Sequence, residues 1–574
     1  MRIMMNPREI NLSDPKWLPG EKAVIKGVKA SASSDNAVVT HTMLKVMAEG
    51  GNAVDAAIAG CMVQAAVEPY MTNHTGTVTF LCYNAKEDKY YQLDSMGTFP
   101  SDLPAHMPVP QGMGVYATIP PRSVIPGFMP GLKALYEKFA TKPWAELCEE
   151  AIWWAENGHH VSCFEFELNV FEEDFVTFFP EGRAFYMPNG RFPHVGEKFG
   201  SKEMAETLGK VAEEGPDYMI TGGWAEAFIE KANDMGWMIT KEHMTETPAR
   251  WIEPLRFKIG EYEIVSLAPP QQQGIFLALV LGILEKLGIK KVKPYSADHI
   301  FYMAHTLKLA QTICGYSSDP EVLSFEVNTF LDGHFHESLA RLIEGMKPKV
   351  DLTNHTRFTT GFGGGVSFLD RFSGAGKMPT PRQNSHQDQP TGSCELSIVD
   401  SEGNWVQMMN TLQSGGIPGQ VVKGIPMVGS HAVPNVQSSH MQYYQTKGAR
   451  IRCVIGNTMV LKDGKPVMQL GTPGNVHVSV AQVLCNYLFF GMEPYEAVEA
   501  PRMLGLQEGG SIVIEDRIPE EVQKELMALG LQMKVSGIWD YHMGSFQICY
   551  LDKDTGELCT LADPRRCGVA DGIK

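Results

Sequence analysis

Apolar and polar positions alternate along the chain with helical and strand-like periods, and no internal repeat or low-complexity segment interrupts them. A first helix is predicted over 41–49. It stops at Gly50-Gly51, where glycine supplies the residue past the helix end. A second helix runs from Asn52 over 52–67, small and apolar on nearly every side, so it should be buried, and Pro69 ends it. Short strands follow over 77–83 and 89–93, joined by a turn at 84–88. Roughly 126–347 reads as mostly helical, with strands near 255–267. The stretch 359–391 differs. It holds Gly361 to Gly365, Ser373 to Gly376, three prolines and a polar run at 383–389. An exposed loop of about thirty residues is uncommon unless functional or mobile, and it is read here as mobile over 359–392. It feeds directly into a strand pattern over 393–400, a turn at 401–404 and a second strand over 405–412.

Composition narrows the function classes. The 574 residues carry 49 Lys+Arg against 66 Asp+Glu, a formal charge of -17, and no basic cluster, which argues against a nucleic-acid surface. The best apolar run, 275–284, is about half the roughly 20 residues a membrane span needs, so no membrane partner is expected. Length alone suggests three or four domains. The first nine residues lack an apolar signal core, and eleven cysteines without a Cys-x-x-Cys pair read as reduced thiols. A cytoplasmic protein is therefore expected.

Several common chemistries find no motif. Walker A, HExxH and GxSxG patterns are missing, and His334-Phe335-His336-Glu337 has no third ligand at sensible spacing, so no metal and no cofactor is expected. What remains is Gln389-Pro390-Thr391-Gly392-Ser393-Cys394, with three nucleophile-capable side chains within four residues. A hydroxyl or thiol there can attack the preceding carbonyl and cut its own chain. The residue left with a free α-amine then carries its own general base. By itself such a cluster is more often a simple turn.

Seven further strings, in order, change that reading. They are Glu49-Gly50-Gly51-Asn52-Ala53-Val54-Asp55-Ala56-Ala57; Leu93-Asp94 to Pro100; Val124-Ile125-Pro126-Gly127 with Pro143-Trp144-Ala145-Glu146-Leu147; and Pro269-Pro270 with Gln273-Gly274-Ile275. Towards the C-terminus come Ser397-Ile398-Val399-Asp400 with Gly403-Asn404, Gly471-Thr472-Pro473-Gly474, and Gly491-Met492 with Glu496-Ala497-Val498-Glu499-Ala500-Pro501-Arg502. Together they resemble the gamma-glutamyltransferase family of N-terminal-nucleophile hydrolases over more than 400 residues. The resemblance implies an α+β fold, a four-layer αββα sandwich formed as one composite domain. It also implies a precursor cut at Gly392–Ser393 into 1–392 and 393–574, whose fragments stay associated; a higher oligomer is left open.

Carried over residue by residue, the resemblance places the nucleophile at Ser393, its activating threonine at Thr411, and the oxyanion-hole N–H groups at Gly474 and Asn475. Thr391 and Cys394 remain alternative nucleophiles. The departures bear on the substrate. Met96 stands where the family has a carboxylate-binding arginine, with Gly97 in place of the following glutamate. Cys453-Val454 replace a serine pair, Gln413 replaces an asparagine, and 429–434 lacks the acidic group expected for the α-amino nitrogen. Methionine cannot form the bidentate pair a carboxylate requires. Losing such contacts costs about 2–5 kcal/mol for each buried charge pair. A small-molecule amide substrate with a less zwitterionic, more apolar acyl group is expected beside Met96, Phe99 and Val454. The rivals are a γ-glutamyl hydrolase with replaced ligands, Arg122 or Arg382, and an unprocessed noncatalytic binding or assembly protein.

Overall fold

Asparagine caps start the first helical layer. In the computed structural model, which describes residues 5–98, 124–246, 249–322, 326–353, 393–412, 419–427, 450, 455–506 and 510–574, helix α1 (Ala37–Ala48) begins at Asn36, whose side chain accepts the Val38 N–H. Helix α2 (Ala53–Val67) is buried along its entire length and opens with a capping box. Asn52 Oδ1 accepts the Val54 and Asp55 N–H groups at 2.8 and 2.9 Å, and Asp55 Oδ2 accepts the Asn52 N–H at 2.9 Å. Asp55 Oδ1 also accepts the Thr141 and Lys142 N–H groups. Asp400 Oδ2 accepts the Ala53 N–H at 2.9 Å and that of Asn404 Nδ2 at 2.8 Å. Two of the sequence strings, around Asn52 and around Asp400, thus meet to fasten a helix start to a hairpin.

Two seven-stranded sheets, antiparallel throughout, form the middle of the molecule. The strands are, in chain order, β1 (Ile25–Val28), β2 (Ala30–Ser34), β3 (Thr77–Asn84), β4 (Lys89–Ser95), β5 (Arg250–Ile252), β6 (Leu255–Ile259) and β7 (Tyr262–Ser266). They continue as β8 (Cys394–Val399), β9 (Trp405–Thr411), β10 (Thr458–Lys462), β11 (Lys465–Gly471), β12 (Gln547–Leu551), β13 (Leu558–Ala562) and β14 (Val569–Ile573). One sheet runs β1-β13-β12-β11-β10-β7-β6 and the other β14-β2-β8-β9-β3-β4-β5. Both draw strands from either side of residue 392, so the three or four domains suggested by length do not form. The loop read as mobile, 359–392, lies outside the described residues.

The layers differ in chemistry. Leu396, Ile398, Val406 and Met408 pack outward in one core with α1 and α2. Leu470 and Ile548 share the other core with the helices Gln273–Lys286 and Val476–Phe490. Between the sheets, apolar Leu81, Val399 and Met409 sit beside polar contacts. Thr79 Oγ1 donates to Asn457 Oδ1 at 2.7 Å, Gln469 Nε2 to Ser397 Oγ at 3.0 Å, and Gln547 Nε2 to Asp35 Oδ1 at 3.2 Å. The arrangement is helix, sheet, sheet, helix.

Candidate active site

Ser393 precedes β8 by one residue. The ladder pairs Cys394 with Asn410 and runs antiparallel, so Ser393 falls opposite Thr411. Its Oγ donates to Thr411 Oγ1 at 2.9 Å, with both residues buried. Thr411 in turn pairs with Thr77 on β3, and Val78 with Ser95 on β4, so Met96 follows the next position of the same row.

Strand alternation separates the neighbours of Ser393. Glu395 and Ser397 share its side, between the sheets. Glu395 Oε1 accepts from Gln407 Nε2 at 2.6 Å and from Asn457 Nδ2 at 3.3 Å, and burial holds its carboxyl well above the usual range. Cys394 faces the other way, beside Tyr70, Met71 and Leu168. Its Sγ is 3.8 Å from Glu68 Oε2, and burial together with Glu68 pushes the thiol well up. Of the two alternative nucleophiles, Cys394 is therefore protonated and turned from the Ser393 hydroxyl. Thr391, with Gly392, lies outside the described residues.

The turn expected to hold the oxyanion donors links β11 to the helix Val476–Phe490. It passes so close to β8 that a Cβ on Gly471 would sit 2.1 Å from Glu395 Oε1. Gly474 takes φ +84°, a left-handed value glycine accepts without strain. Asn475 departs from expectation. Its backbone N–H donates to His542 O at 3.1 Å and its Nδ2 to the same oxygen at 2.8 Å, so that N–H is already engaged. Gly474 N–H has no protein acceptor among the described residues. The turn is held from the C-terminal part of the chain: Ser545 N donates to Thr472 Oγ1 at 2.7 Å, and Arg502 Nη1 to Met543 O at 2.8 Å. The arginine that ends the Glu496–Arg502 string thus supports the 541–543 turn, which in turn holds Asn475.

Met96 is fully buried in the apolar core that also holds Val124, Leu267 and Ile275. Gly97 has φ +83°, and a Cβ there would lie 2.7 Å from Ile125 O, which leaves no room for the family glutamate. Gln413, Cys453, Val454, Phe99, Arg122 and Arg382 lie outside the described residues. His336 binds the Phe330 carbonyl through Nε2 at 2.8 Å. No group of metal-ligating side chains occurs among the described residues.

Sequence reasoning missed three features. Asp35 Oδ2 accepts the Glu395 N–H at 3.0 Å, and burial raises its carboxyl to about 6 against the pull of Arg566. Glu68 is raised to about 7 by burial and by Asp35, and accepts from Gln64 Nε2 at 2.8 Å. Both flank helices recognised from the sequence, Asp35 just before α1 and Glu68 just after α2, so their positions at the sheet end were the available signal. The third is Arg450, which bridges to Thr98 and donates through Nη1 to Asp94 O at 3.3 Å. It lies across the segment where the family arginine is missing.

Comparison with known proteins gives the family and the fold. The sequence model of the family described as gamma-glutamyltranspeptidase matches residues 40–573. The Acylase ACY 1 proenzyme of Pseudomonas sp. (strain SE83) is 24% identical over 569 residues, covering 96% of this chain and 96% of that protein. The glutathione hydrolase proenzyme of Pseudomonas aeruginosa is 26% identical over 571 residues, covering 96% and 95%. Cephalosporin acylase from Bacillus halodurans has the same fold, with a TM-score of 0.80 at 21% identity over 99% of both chains. The chain belongs to the gamma-glutamyltranspeptidase family, a divergent member of it, and is an amidohydrolase or acyltransferase of the N-terminal-nucleophile class.

Proposed function

We propose that the chain is a self-cleaving amide hydrolase or acyltransferase whose acyl group is not γ-glutamyl. The observation that carries this reading is the Ser393 Oγ to Thr411 Oγ1 hydrogen bond of 2.9 Å, set in a row that ends at buried Met96. In maturation, Ser393 Oγ attacks the Gly392 carbonyl carbon, the peptide C–N bond breaks to an ester, and water hydrolyses the ester. The freed α-amine of Ser393 then acts as base. In turnover, Oγ attacks the substrate amide carbon while the α-amine takes its proton, and Thr411 orients the hydroxyl. Gly474 N–H stabilises the oxyanion. The α-amine returns the proton to the leaving amine, and water or a second amine releases the acyl group. Metal and cofactor have no part in this scheme.

The substrate class rests on the missing cation. A buried methionine at the row's end suits an apolar acyl group, in keeping with the acylases among the relatives. One observation favours a second reading, γ-glutamyl hydrolysis with a replaced ligand: Arg450 lies against Asp94 and Thr98, beside the vacated arginine position. Rates on γ-glutamyl anilide and on simple acyl anilides separate the two, with Ser393→Ala as the blank. The proposal expects kcat/KM at least tenfold higher on acyl anilides. Faster turnover of the γ-glutamyl compound, lost in Arg450→Met, would establish the second reading instead.

A further inference from the structure

One hydroxyl in the nucleophile's own row is buried without a partner. Thr77 opens β3 directly opposite Thr411. Two residues along the same strand, Thr79 donates to Asn457, which leads into β10 of the second sheet. Strand alternation turns Thr77 toward that sheet too, on the face that carries Ser393 and Thr411. Thr77 is fully buried, yet its Oγ1 has no hydrogen-bond partner among the described residues. Its backbone is pinned. Gly76 N–H donates to Asn73 O at 3.0 Å, and Gly76 O accepts the Gly127 and Phe128 N–H groups at 3.0 and 2.9 Å. A Cβ on Gly76 would lie 2.1 Å from Thr411 O, so β3 starts hard against the end of β9. Asn73 Oδ1 in turn accepts from Thr75 N at 3.0 Å and from Thr75 Oγ1 at 2.7 Å. The hydroxyl is thus held by its strand rather than by a partner of its own.

We propose that Thr77 determines specificity, its hydroxyl donating to a neutral oxygen on the acyl chain of the substrate. Ser393, Thr411, Thr77 and Met96 lie in one row across β8, β9, β3 and β4. Neighbouring strands are about 4.8 Å apart, so Thr77 stands roughly 10 Å from Ser393, with Met96 one strand further. An acyl chain esterified to Ser393 and laid along the row reaches Thr77 at roughly its fourth or fifth carbon, before its end meets Met96. The row is buried in the uncut chain, nucleophile included, so access to it comes with the cleavage proposed above. A hydroxyl buried without a partner is costly; a substrate oxygen there completes it, and a methylene leaves it unmet. A single neutral donor next to an apolar methionine suits a carbonyl or ether oxygen better than a carboxylate, whose charge would go unmet. The assignment rests on the acyl-amide reading above and names the class of acyl group: a short chain with an internal oxygen acceptor and an apolar end.

The test measures kcat/KM on p-nitroanilides of matched chain length, levulinyl against valeryl and the one-carbon-longer oxo chain against hexanoyl. It is run on the parent, Thr77→Val and Thr77→Ser. The parent should prefer at least one oxo chain over its plain partner by about tenfold. Thr77→Val, which keeps the shape of the side chain, should bring that ratio to about one, whereas Thr77→Ser should keep most of it. Each ratio is taken within one preparation, so differences in folded or cleaved fraction cancel. A parent that hydrolyses the plain chains equally well, or a ratio that survives in Thr77→Val, would overturn the Thr77 assignment and leave the acyl-amide reading standing. Should Thr77→Val lose all activity, Thr77→Ser decides, and a ratio near one there would overturn the assignment. A parent inert toward all four compounds, whether or not it cuts γ-glutamyl anilide, would overturn the acyl-amide reading and the assignment with it.

Discussion

The two sides of β8 carry opposite chemistries within six residues. Leu396 and Ile398 face the helices in an apolar core, while Glu395 and Ser397, in line with Ser393, face the second sheet, where Asn457 Nδ2 and Gln469 Nε2 donate to them. The apolar side stabilises, and its contribution depends on close packing. The polar side holds groups that are costly to bury unless each is partnered, and it positions chemistry. Glu395 shows how finely this is balanced, since Oε1 is bound twice while Oε2 has no protein partner among the described residues. A function placed between sheets therefore draws on residues from both sides of residue 392, which suits the cleavage proposed there, with the two fragments held in one fold.

Substitutions on the two sides should fail differently. The largest effect is expected at Ser393→Ala: an uncut chain, and amidase activity lower by about 10³-fold or more, with thermal stability close to the parent. Loss of folding in this variant would show that Ser393 belongs to the packing side. Leu396→Ala, on the helix side, should cost about 2–5 kcal/mol in denaturant unfolding while the folded fraction keeps its activity. Thr411→Val should invert that pattern, lowering kcat by roughly 10- to 100-fold for a stability loss of about 0.5–1.5 kcal/mol. Equal losses of kcat and stability in both variants would erase the distinction between the two sides.

A smaller effect concerns pH. Asp35 and Glu68 have carboxyls raised in the folded state to about 6 and about 7. Between about pH 4 and 7 the folded chain keeps protons that the unfolded chain has released, so stability falls as pH rises through that window. Below it the contribution is fully present; above it the contribution is lost. Glu68→Gln should flatten the slope, gaining on the order of 2 kcal/mol relative to the parent at pH 8 and little at pH 4. Parallel melting curves for the two proteins from pH 4 to 8 would contradict the burial argument.

Much of the scaffold was legible because local pattern and tertiary role coincide. The expected 52–67 helix is Ala53–Val67, and the expected strands over 393–400 and 405–412 are Cys394–Val399 and Trp405–Thr411. The expected first helix starts four residues late, because the Asn36 cap lies in a run of small residues that carries little period. The site was legible only in part. Register along one hairpin brings Ser393 to Thr411, and such local pairing follows from motif spacing. Partners such as Asp35, Arg450 and His542 arrive through long-range closure of two sheets, which spacing along the chain does not encode. The engagement of Asn475 N–H by His542 is the clearest case, since the two residues share no sequence string.

The central claim, that Ser393 becomes an N-terminal nucleophile, is tested most directly by the intact masses of the purified protein under denaturing conditions. The account predicts two species, the smaller beginning at Ser393 and ending at Lys574, and a single 63.4 kDa chain in Ser393→Ala. A parent protein that stays at full length, or a small fragment beginning at Thr391 or Cys394, would contradict it.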